Sequence, residues 1–467
     1  MRLLLPSVLL MVVTACTAGG GGGAADRPVD RRGFPGDAAP VGTPPPACDA
    51  PACWAYEVDT MHFGMAPDGA GGITGLGGPY GLIELKHVTA DGTIDRTENV
   101  GTGITELSGT ADGGFLMVSN VPLLGQTPSS SAMLMKVSAD WTVQWSVPIT
   151  TNWPQNLHVR GSRVDGGGLL HILNGGPGGT VDRLDWLARY DADGNVVWEQ
   201  HAPNLTDFDL ADNDDVVAFA YLTGVDSPFA PAPDGMAATG GVYRVGPDGT
   251  IRWTHTLGSA VGAALNGGGG ALVSTPDGGA MISAGWYQPG GQSANLTTVS
   301  FGEQLSDIPT PGYGISGTAI VKLDDSGTAT SIEWPTIRSP AEPPDGTRYV
   351  ETKVYDMVPA RDGESVYVAG VTLAYFILNV VSVVPYDGGI TSVAGPTAGQ
   401  SGSWLAKIGP EGRGDWALGH WVDDEFGYGR LATDGDHLFL DGFGNQLELG
   451  APAGDGGNLL KLPLNEQ

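Results

Sequence analysis

Two short motifs alternate along the chain, and their repetition limits the fold more than any other feature of the sequence. The first motif is an Asp-Gly turn followed by an apolar run that ends in a small residue, as from Asp277-Gly278 to Gly285. An Asp-Gly pair between two apolar runs is the strongest short-range signal for a β-hairpin. Further copies, some of them weaker, begin at Asp68, Asp112, Asp165, Asp214, Asp362 and Asp434.

The second motif is an apolar strand that carries one cation and is usually followed by another turn. Five of the six lysines of the chain occupy this single position, which chance does not explain. A partly buried charge needs carboxylate or carbonyl partners, so we interpret the cations as structural ties to turn aspartates rather than as a ring that binds a ligand. The seven positions are Lys86, Lys136, Arg189, Arg244, Lys322, Lys407 and Lys461.

One copy of each motif makes two hairpins, or four short antiparallel strands. Seven such units in a ring form a β-propeller, in which each blade buries its faces against its neighbours. The sequence therefore predicts an all-β fold, a single seven-bladed propeller over residues 53–467, with eight blades as the alternative. Residues 54–59 are expected to add the outermost strand of the last blade and close the ring, because little chain follows Lys461.

The repeats resemble those of two known groups of propellers. The Asp-Gly-Gly run, the strand with Lys or Arg, and the turn at Asp193-Gly194 followed by Trp198 are similar to the bacterial delta-60 type repeat. They are also similar to the repeats of pyrroloquinoline-quinone-type propellers, including those of outer-membrane assembly lipoproteins. The resemblance covers residues 60–467 and implies the propeller fold, but not one function, because propellers host many activities. Quinone-dependent propeller enzymes often carry adjacent cysteines near the cofactor. No Cys follows Cys53, and we expect no cofactor.

The strongly acidic composition excludes some partners. Acidic residues outnumber basic ones 52 to 22, and the net charge is −30. Nucleic-acid binding needs clustered Lys and Arg, and docking on anionic lipid needs them too. We therefore expect neither partner, and the only predicted contact with a membrane is through a lipid.

The N-terminus predicts export and lipidation. Residues 1–15 have one positive charge, a short apolar run and a small residue before Cys16, as in a secretory signal peptide. The segment from Val13 to Cys16 resembles the lipobox of bacterial lipoproteins, which implies lipidation of Cys16; an ordinary signal peptide is the alternative. Residues 16–52 are rich in Gly and Pro and predict a tether. By the same resemblance, Thr17 favours the outer membrane, at its periplasmic face or at the cell surface.

The tether ends in a short loop between the two other cysteines, Cys48 and Cys53. An exported chain meets oxidising conditions, so the pair predicts a disulfide rather than a metal site. No metal is expected elsewhere, and we expect a monomer.

Long connections cluster in the fourth to sixth units, in residues 222–241, 286–318 and 371–403, with the link 335–351 beside them. Long loops gathered on one face of a rigid scaffold are where binding usually occurs. Their aromatic residues are candidate contacts for a partner, and packing beneath their own loops is the alternative. These residues are Phe229, Trp286, Tyr287, Phe301, Tyr313, Tyr375, Phe376 and Tyr386.

The innermost strands of a propeller line a central channel, and several titratable residues are predicted there. The candidates are His62, Glu106, His158, Asp207, Asp209, Asp356 and Arg430. The chain lacks the nucleophile elbow, the zinc-protease helix motif and the phosphate-binding loop. We therefore favour a lipid-anchored module that binds an envelope protein or glycan. The alternatives are an exported quinone- or metal-dependent enzyme and a scaffold for outer-membrane assembly.

Overall fold

The computed structural model describes much of the repeat region and none of the segment before it. The described residues belong to one compact unit, Ala38–Gln467. The predicted signal peptide, the lipidation site Cys16, the tether, and the cysteines Cys48 and Cys53 lie outside them, and these predictions stand untested. The described ranges are 54–58, 64–77, 83–101, 104–119, 132–149, 157–172, 186–202, 205–221, 236–260, 264–265, 271–287, 298–307, 316–333, 335–338, 350–374, 382–385, 401–410, 414–422, 428–443 and 457–464.

Consecutive strands pair antiparallel in runs of four, and we call each run a module. The first strand, β1, is Trp54–Val58 and belongs to the last module. Module A contains β2 to β5, which are Gly64–Pro67, Ile73–Gly77, Ile83–Val88 and Ile94–Gly101. Module B contains β6 to β9, which are Ile104–Gly109, Phe115–Ser119, Ala132–Val137 and Val143–Ile149. Module C contains β10 to β13, which are Leu157–Gly161, Gly168–Ile172, Trp186–Tyr190 and Val196–His201.

The middle of the chain adds strands to this plan. Module D contains β14 to β17, which are Leu205–Leu210, Val216–Tyr221, Met236–Val245 and Ile251–Ala260. A short strand β18, Ala264–Leu265, follows. Module E contains β19, β20, β23 and β24, which are Leu272–Ser274, Ala280–Tyr287, Ser316–Leu323 and Ala329–Glu333. The hairpin inserted into it comprises β21, Thr298–Phe301, and β22, Gln304–Asp307.

The last part of the chain completes the plan. Strand β25 is Pro335–Arg338, and it pairs with β28, Ser382–Pro385. Module F contains β26, β27, β29 and β30, which are Val350–Pro359, Val366–Ala374, Ser401–Ile408 and Gly414–Val422. Module G contains β31, β32 and β33, which are Tyr428–Thr433, His437–Phe443 and Gly457–Pro463, and β1 as its outer strand. The predicted closure by residues 54–59 is thus confirmed in its described part, residues 54–58.

The hydrogen bonds group the described strands into six sheets of 4, 4, 6, 9, 8 and 2 strands, rather than into separate sheets of four. Two short parallel contacts between modules cause part of this. Gly64 pairs with Leu107, which fuses modules A and B, and Ser316 pairs with Glu351, which fuses modules E and F. The inserted hairpin also extends module D, because β21 pairs with β17. The all-β propeller of small antiparallel sheets is confirmed by this strand order.

The core lies between modules rather than within them. In the B–C cluster, for example, Leu116 and Val118 of β7 pack with Val159 and Leu170 of module C. The cluster that contains Ile73 and Phe439 joins module G to module A, so the packing returns to its start. All five residues of β7 are buried, whereas no residue of the outer strand β13 is: its positions are exposed or half-buried. A second strand packed on both faces reads as a continuous apolar run, which is why the repeats are visible in sequence.

The two ends of the modules differ. Short turns, most of them with an Asp-Gly pair, join the first strand to the second and the third to the fourth. They therefore all lie at one end, which we call the turn face. The second-to-third connections lie at the opposite end, which we call the loop face. The predicted long connections are partly strand: β21, β22, β25 and β28 fall within them. The part of the chain that the structure describes contains no helix long and apolar enough to cross a membrane.

Candidate functional site: the central cavity

The inner strands enclose a cavity of about 600 Å³. Strands β2, β6, β10, β19, β26 and β31 line it, together with Asp209 of β14. Its wall includes Thr110, Ser162 and Thr433, which lead into the Asp-Gly turns, so the cavity reaches the turn face. Four of the seven residues predicted to line the channel lie in this wall: Glu106, Asp209, Asp356 and Arg430. Such a volume is within the usual range for small-molecule sites.

Glu106 is the most buried charged group of the cavity, with 1% of its surface exposed. Its Oε1 lies 3.1 Å from Nη1 of Arg160 and 3.4 Å from Nη1 of Arg430, and its Oε2 lies 3.2 Å from Nδ1 of His158. The main-chain N–H of Val159 also donates to Oε2 at 2.7 Å. Burial alone would raise the pKa of Glu106, but His158, Arg160 and Arg430 outweigh it and lower this pKa to about 2. Glu106 is therefore ionised and saturated with donors.

Asp207 and Asp356 occupy the position of Glu106 in modules D and F. Each of the three follows a β-bulge in the first strand of its module. Each carboxylate also accepts a main-chain N–H from the first strand of the next module: Leu272 donates to Asp207 and Leu431 donates to Asp356, both at 2.8 Å. The carboxylates therefore fasten neighbouring inner strands together, which is a structural role.

The remaining charges also pair across modules. Arg160 donates through Nη2 to Asp207 at 3.0 Å and through Nε to the carbonyl of Phe208 at 3.1 Å. Arg163 contacts Asp209 at 3.1 Å. Neither Arg160 nor Arg163 was expected from the sequence, because neither occupies the repeated cation position. The available signal was the two arginines in and just after β10, a strand already predicted to be innermost from His158.

The pKa values of Asp207 and Asp356 are shifted upward, in the opposite direction from the pKa of Glu106. Burial raises the pKa of Asp207 even though Arg160 opposes the shift. Burial raises the pKa of Asp356 to about 6, against the lowering effects of Arg430 and of the Leu431 N–H. Asp356 thus titrates in the physiological range, as candidate functional groups often do.

His158 and His171 lie beside the cavity with their rings stacked, the ring centroids 6.2 Å apart. Burial and the neighbouring His158 lower the pKa of His171 to about 3. His171 is therefore neutral at physiological pH. Within the described residues no group of three His, Cys, Asp or Glu side chains is arranged to hold a metal ion.

Six of the seven repeated cations contact turn residues, as predicted, whereas the ion pair of Lys86 is with Glu84 of its own strand at 2.9 Å. Lys136 contacts Asp112 of its own module at 2.6 Å, and Arg189 contacts Asp214 of the next module at 2.8 Å. Lys461 of module G donates to the carbonyls of Gly71 and Ala90 in module A, at 2.6 and 3.0 Å. None of these three cations belongs to the cavity wall; Arg189 and Lys461 link neighbouring modules, and Lys136 links two hairpins of one module.

The predicted outer-strand tryptophans also join modules where they are described. The indole N–H of Trp198 donates to the carbonyl of Pro247 in the next module, and that of Trp253 donates to the carbonyl of Asp325, both at 2.9 Å. Trp145 does the same with Ala192 at 2.7 Å. The side chain of Trp416 is outside the described set.

The aromatic residues predicted at the loop face are mostly outside the described residues. These are Phe229, Tyr313, Tyr375, Phe376 and Tyr386, and His62 of the predicted channel is outside as well. Trp286 and Tyr287 lie at the end of β20, where they pair with β18. The prediction that Phe301 contacts a partner was wrong. Phe301 is 4% exposed and packs in the core between modules D and E, because its strand pairs with β17.

Comparison with known proteins adds little to this geometry. No family model matches the chain, and no curated protein matches it. It is similar to virginiamycin B lyase from Staphylococcus aureus, with 11% identity over 88% of this chain and 99% of that one and a TM-score of 0.41. It is similar to the Neurospora crassa Pan2 WD40 domain, with 9% identity over 90% and 99% and a TM-score of 0.43. A gluconolactonase from Xanthomonas campestris has 15% identity over 92% and 98% and a TM-score of 0.31. The fold assignment therefore rests on strand pairing and not on these similarities.

Proposed function

We propose that the protein is a lipid-anchored, seven-bladed propeller of the cell envelope that binds a protein or glycan partner through its loop face. Each module would be one blade. The supporting observation for the blade count is that the apolar clusters of the described residues join A to B, B to C and so on to G, and then G to A. The anchor would be Cys16, at the outer membrane.

The direction of β1 carries the proposal. Trp54 pairs with Lys461, and Val58 pairs with Gly457. The Lys461 end of β33 is the turn face, because Pro463 pairs with His437 beside the Asp434-Gly435 turn. The N-terminal end of β1, to which the predicted tether would be attached, therefore lies at the turn face. A body held in this way leaves its loop face free for a partner.

The state of the cavity supports binding over catalysis within it. Glu106 and Asp207 form ion pairs with arginines and accept main-chain N–H groups of the next module, so their role is to link neighbouring inner strands. The connections in modules D to F are also longer than the fold requires. Within them, β25 and β28 form a separate two-stranded sheet.

The anchor is tested by fractionation of cells that express Cys16→Ser. We expect the variant to leave the membrane fraction, because lipidation needs the Cys16 thiol. The matched control is Cys48→Ser combined with Cys53→Ser, which should stay with the membrane. Retention of Cys16→Ser in membranes after a carbonate wash would refute the anchor.

The binding face is tested by shortening loops of two modules. Replacement of residues 375–400 by a tight turn should abolish partner capture from envelope extracts. Thermal unfolding should change little, because the deleted strand β28 pairs only with β25, outside the four-stranded modules. The control shortens residues 444–456, on the same face in module G, and should retain capture. A shortened loop costs little, because closure free energy changes by only about 0.6 kcal/mol per doubling of length. Equal capture by both variants would place the partner site elsewhere.

A further inference from the structure

The charges of the inner ring do not balance among the described residues. Three carboxylates occupy equivalent positions, Glu106, Asp207 and Asp356, and two guanidinium groups, Arg160 and Arg430, approach them. Both arginines contact Glu106, and Arg160 also contacts Asp207. The ring therefore has one more carboxylate than guanidinium groups, and among the described residues Asp356 is the carboxylate with no guanidinium nitrogen within 4.0 Å.

The environment of Asp356 differs from that of the other two carboxylates. Its Oδ1 accepts the N–H of Met357 at 2.9 Å and its Oδ2 accepts the N–H of Leu431 at 2.8 Å. Within the described part of the chain, no cationic side chain lies within 4.0 Å of it. An ionised carboxylate has about four lone-pair sites. Two therefore remain, and Asp356 belongs to the cavity wall.

The cavity around Asp356 has the size and the lining of a small-molecule site. Its volume is about 600 Å³, and it reaches the turn face. The lining combines Met65, Leu272 and Val273 with Arg430 and the carboxylates, and it includes no aromatic ring. Quaternary ammonium groups are normally bound by aromatic faces, so this wall suits a cation that donates hydrogen bonds.

We propose that the central cavity binds a small organic cation with a primary ammonium group, and that Asp356 is its counter-ion. The ammonium group would donate to the free lone pairs of Asp356, while Met65, Leu272 and Val273 would contact the aliphatic part of the ligand. A divalent metal fits poorly, since no triad of ligating side chains is present among the described residues. This site is independent of the loop face proposed above.

Protonation of Asp356 provides a signature for the site. Because burial raises the pKa of Asp356 to about 6, its ionised fraction falls roughly tenfold between pH 7 and pH 5. Apparent affinity for an ammonium ligand should fall by the same factor. The other charged groups that face Asp356 are Arg430 of β31, Arg160 of β10 and Asp207 of β14. His158 of β10 lies 3.2 Å from Glu106, so His158→Gln serves as a control.

The experiment is isothermal titration of the full-length, detergent-solubilised protein with 1-aminobutane, tetramethylammonium and 1-butanol. We expect 1-aminobutane to bind at least tenfold more tightly than the other two at pH 7.5. At pH 6, in buffers with different ionisation enthalpies, binding should release protons. His158→Gln should keep the tenfold loss of affinity between pH 7 and pH 5.

The substitution that tests the residue is Asp356→Asn, which should weaken 1-aminobutane binding at least tenfold. Glu303→Gln removes an exposed charge far from the cavity and should bind normally. Since Asn cannot accept both main-chain N–H groups, thermal unfolding of Asp356→Asn is measured as well, and the pH profile of the wild type tests the site without any substitution. The proposal is overturned if 1-aminobutane does not bind, if 1-butanol binds equally well, if K⁺ competes at equal concentration, or if binding is unchanged between pH 7 and pH 5.

Discussion

The modules are joined by two seams of different chemistry, one at the cavity and one at the rim. At the inner seam, a carboxylate such as Glu106 accepts the main-chain N–H of Val159 in the next module. At the outer seam between the same two modules, the indole of Trp145 donates to the carbonyl of Ala192 and lies over Gly194. Radial sheets approach closely at the axis and diverge outward. A short carboxylate therefore spans the inner gap, whereas the outer gap needs the largest side chain.

The outer seam between modules A and B shows that the outer gap must be filled, whichever module supplies the aromatic ring. There the aromatic ring belongs to the turn: Trp141 has a positive φ of 63°. Arg96 takes the strand position, with its Cζ 4.4 Å from the Trp141 ring and its Nη1 donating to the carbonyl of Asp140. Between modules B and C the ring comes from the outer strand of the first module, whereas between modules A and B it comes from the turn of the second module. The gap is filled in both cases.

The largest effect is expected from breaking the inner seam with Glu106→Ala. The substitution leaves Arg430 and the Val159 N–H without their buried partner, and it should cost about 3–5 kcal/mol of unfolding free energy. Urea unfolding measures it. Glu303→Ala, at an exposed turn position, should change stability by less than about 0.5 kcal/mol. A cost below about 1 kcal/mol for Glu106→Ala would mean that the outer seam alone holds the ring.

Acid should weaken the inner seam more than the outer seam. The pKa of Glu106 is lowered from 4.5 to about 2 on folding, so its stabilisation is complete above pH 4.5 and is lost as the pH falls through 2. The difference of about 2.5 units corresponds to about 3 kcal/mol. The stability difference between wild type and Glu106→Gln should therefore shrink between pH 5.5 and pH 2. A constant difference would contradict the charge-based account of this seam.

The outer seam is probed by Trp253→Ala. Burial of a full Trp is worth about 3–5 kcal/mol; because Trp253 is only partly buried against the core, we expect a loss of about 2 kcal/mol in thermal or urea unfolding. Trp253→Phe keeps the ring but removes the hydrogen bond to Asp325, and should cost about 1 kcal/mol. If both variants lose equally, the hydrogen bond rather than ring volume holds the outer seam.

The smallest expected effect is a difference in stability between alanine variants of two turn glycines, which separates backbone strain from ring packing. Gly249 has a φ of +82°, and a Cβ there would lie 2.9 Å from Cγ of Trp198. Gly113 has a φ of +76° with no atom within 4 Å of such a Cβ. Both alanine variants carry the left-handed penalty of about 1–2 kcal/mol, and Gly249→Ala should lose about 1 kcal/mol more. Identical midpoints would show that Trp198 moves aside freely.

The repeat was readable from the sequence because its determinants are local. An Asp-Gly pair specifies a turn within four residues, and a buried cation such as Lys136 finds its Asp112 partner one hairpin away. The turn aspartates, the cations and the indole of Trp198 therefore occupy the expected places.

The cavity was only partly readable, because its geometry depends on irregular features. The β-bulge before Glu106 shifts every following side chain, and periodicity does not reveal it. Arg160 lies in β10, which pairs with β11 without a bulge, and it was missed because it does not occupy the repeated cation position. Phe301 was misplaced because its strand pairs with Leu257, far away in the chain, and not within its own module. Pairing of this kind is set by tertiary packing rather than by local propensity.

The closing strand β1 has a consequence for the time course of folding. Trp54 and Lys461 are neighbours across the sheet, although almost the whole repeat region separates them in the chain. Contacts of such long sequence separation form late, since their loop-closure entropy is offset only after other contacts exist. During synthesis the N-terminal strand is made first, and the strand with which it pairs is made last. Until they meet, module G has three strands and an open edge, so the newly made chain passes through a period of exposure to aggregation.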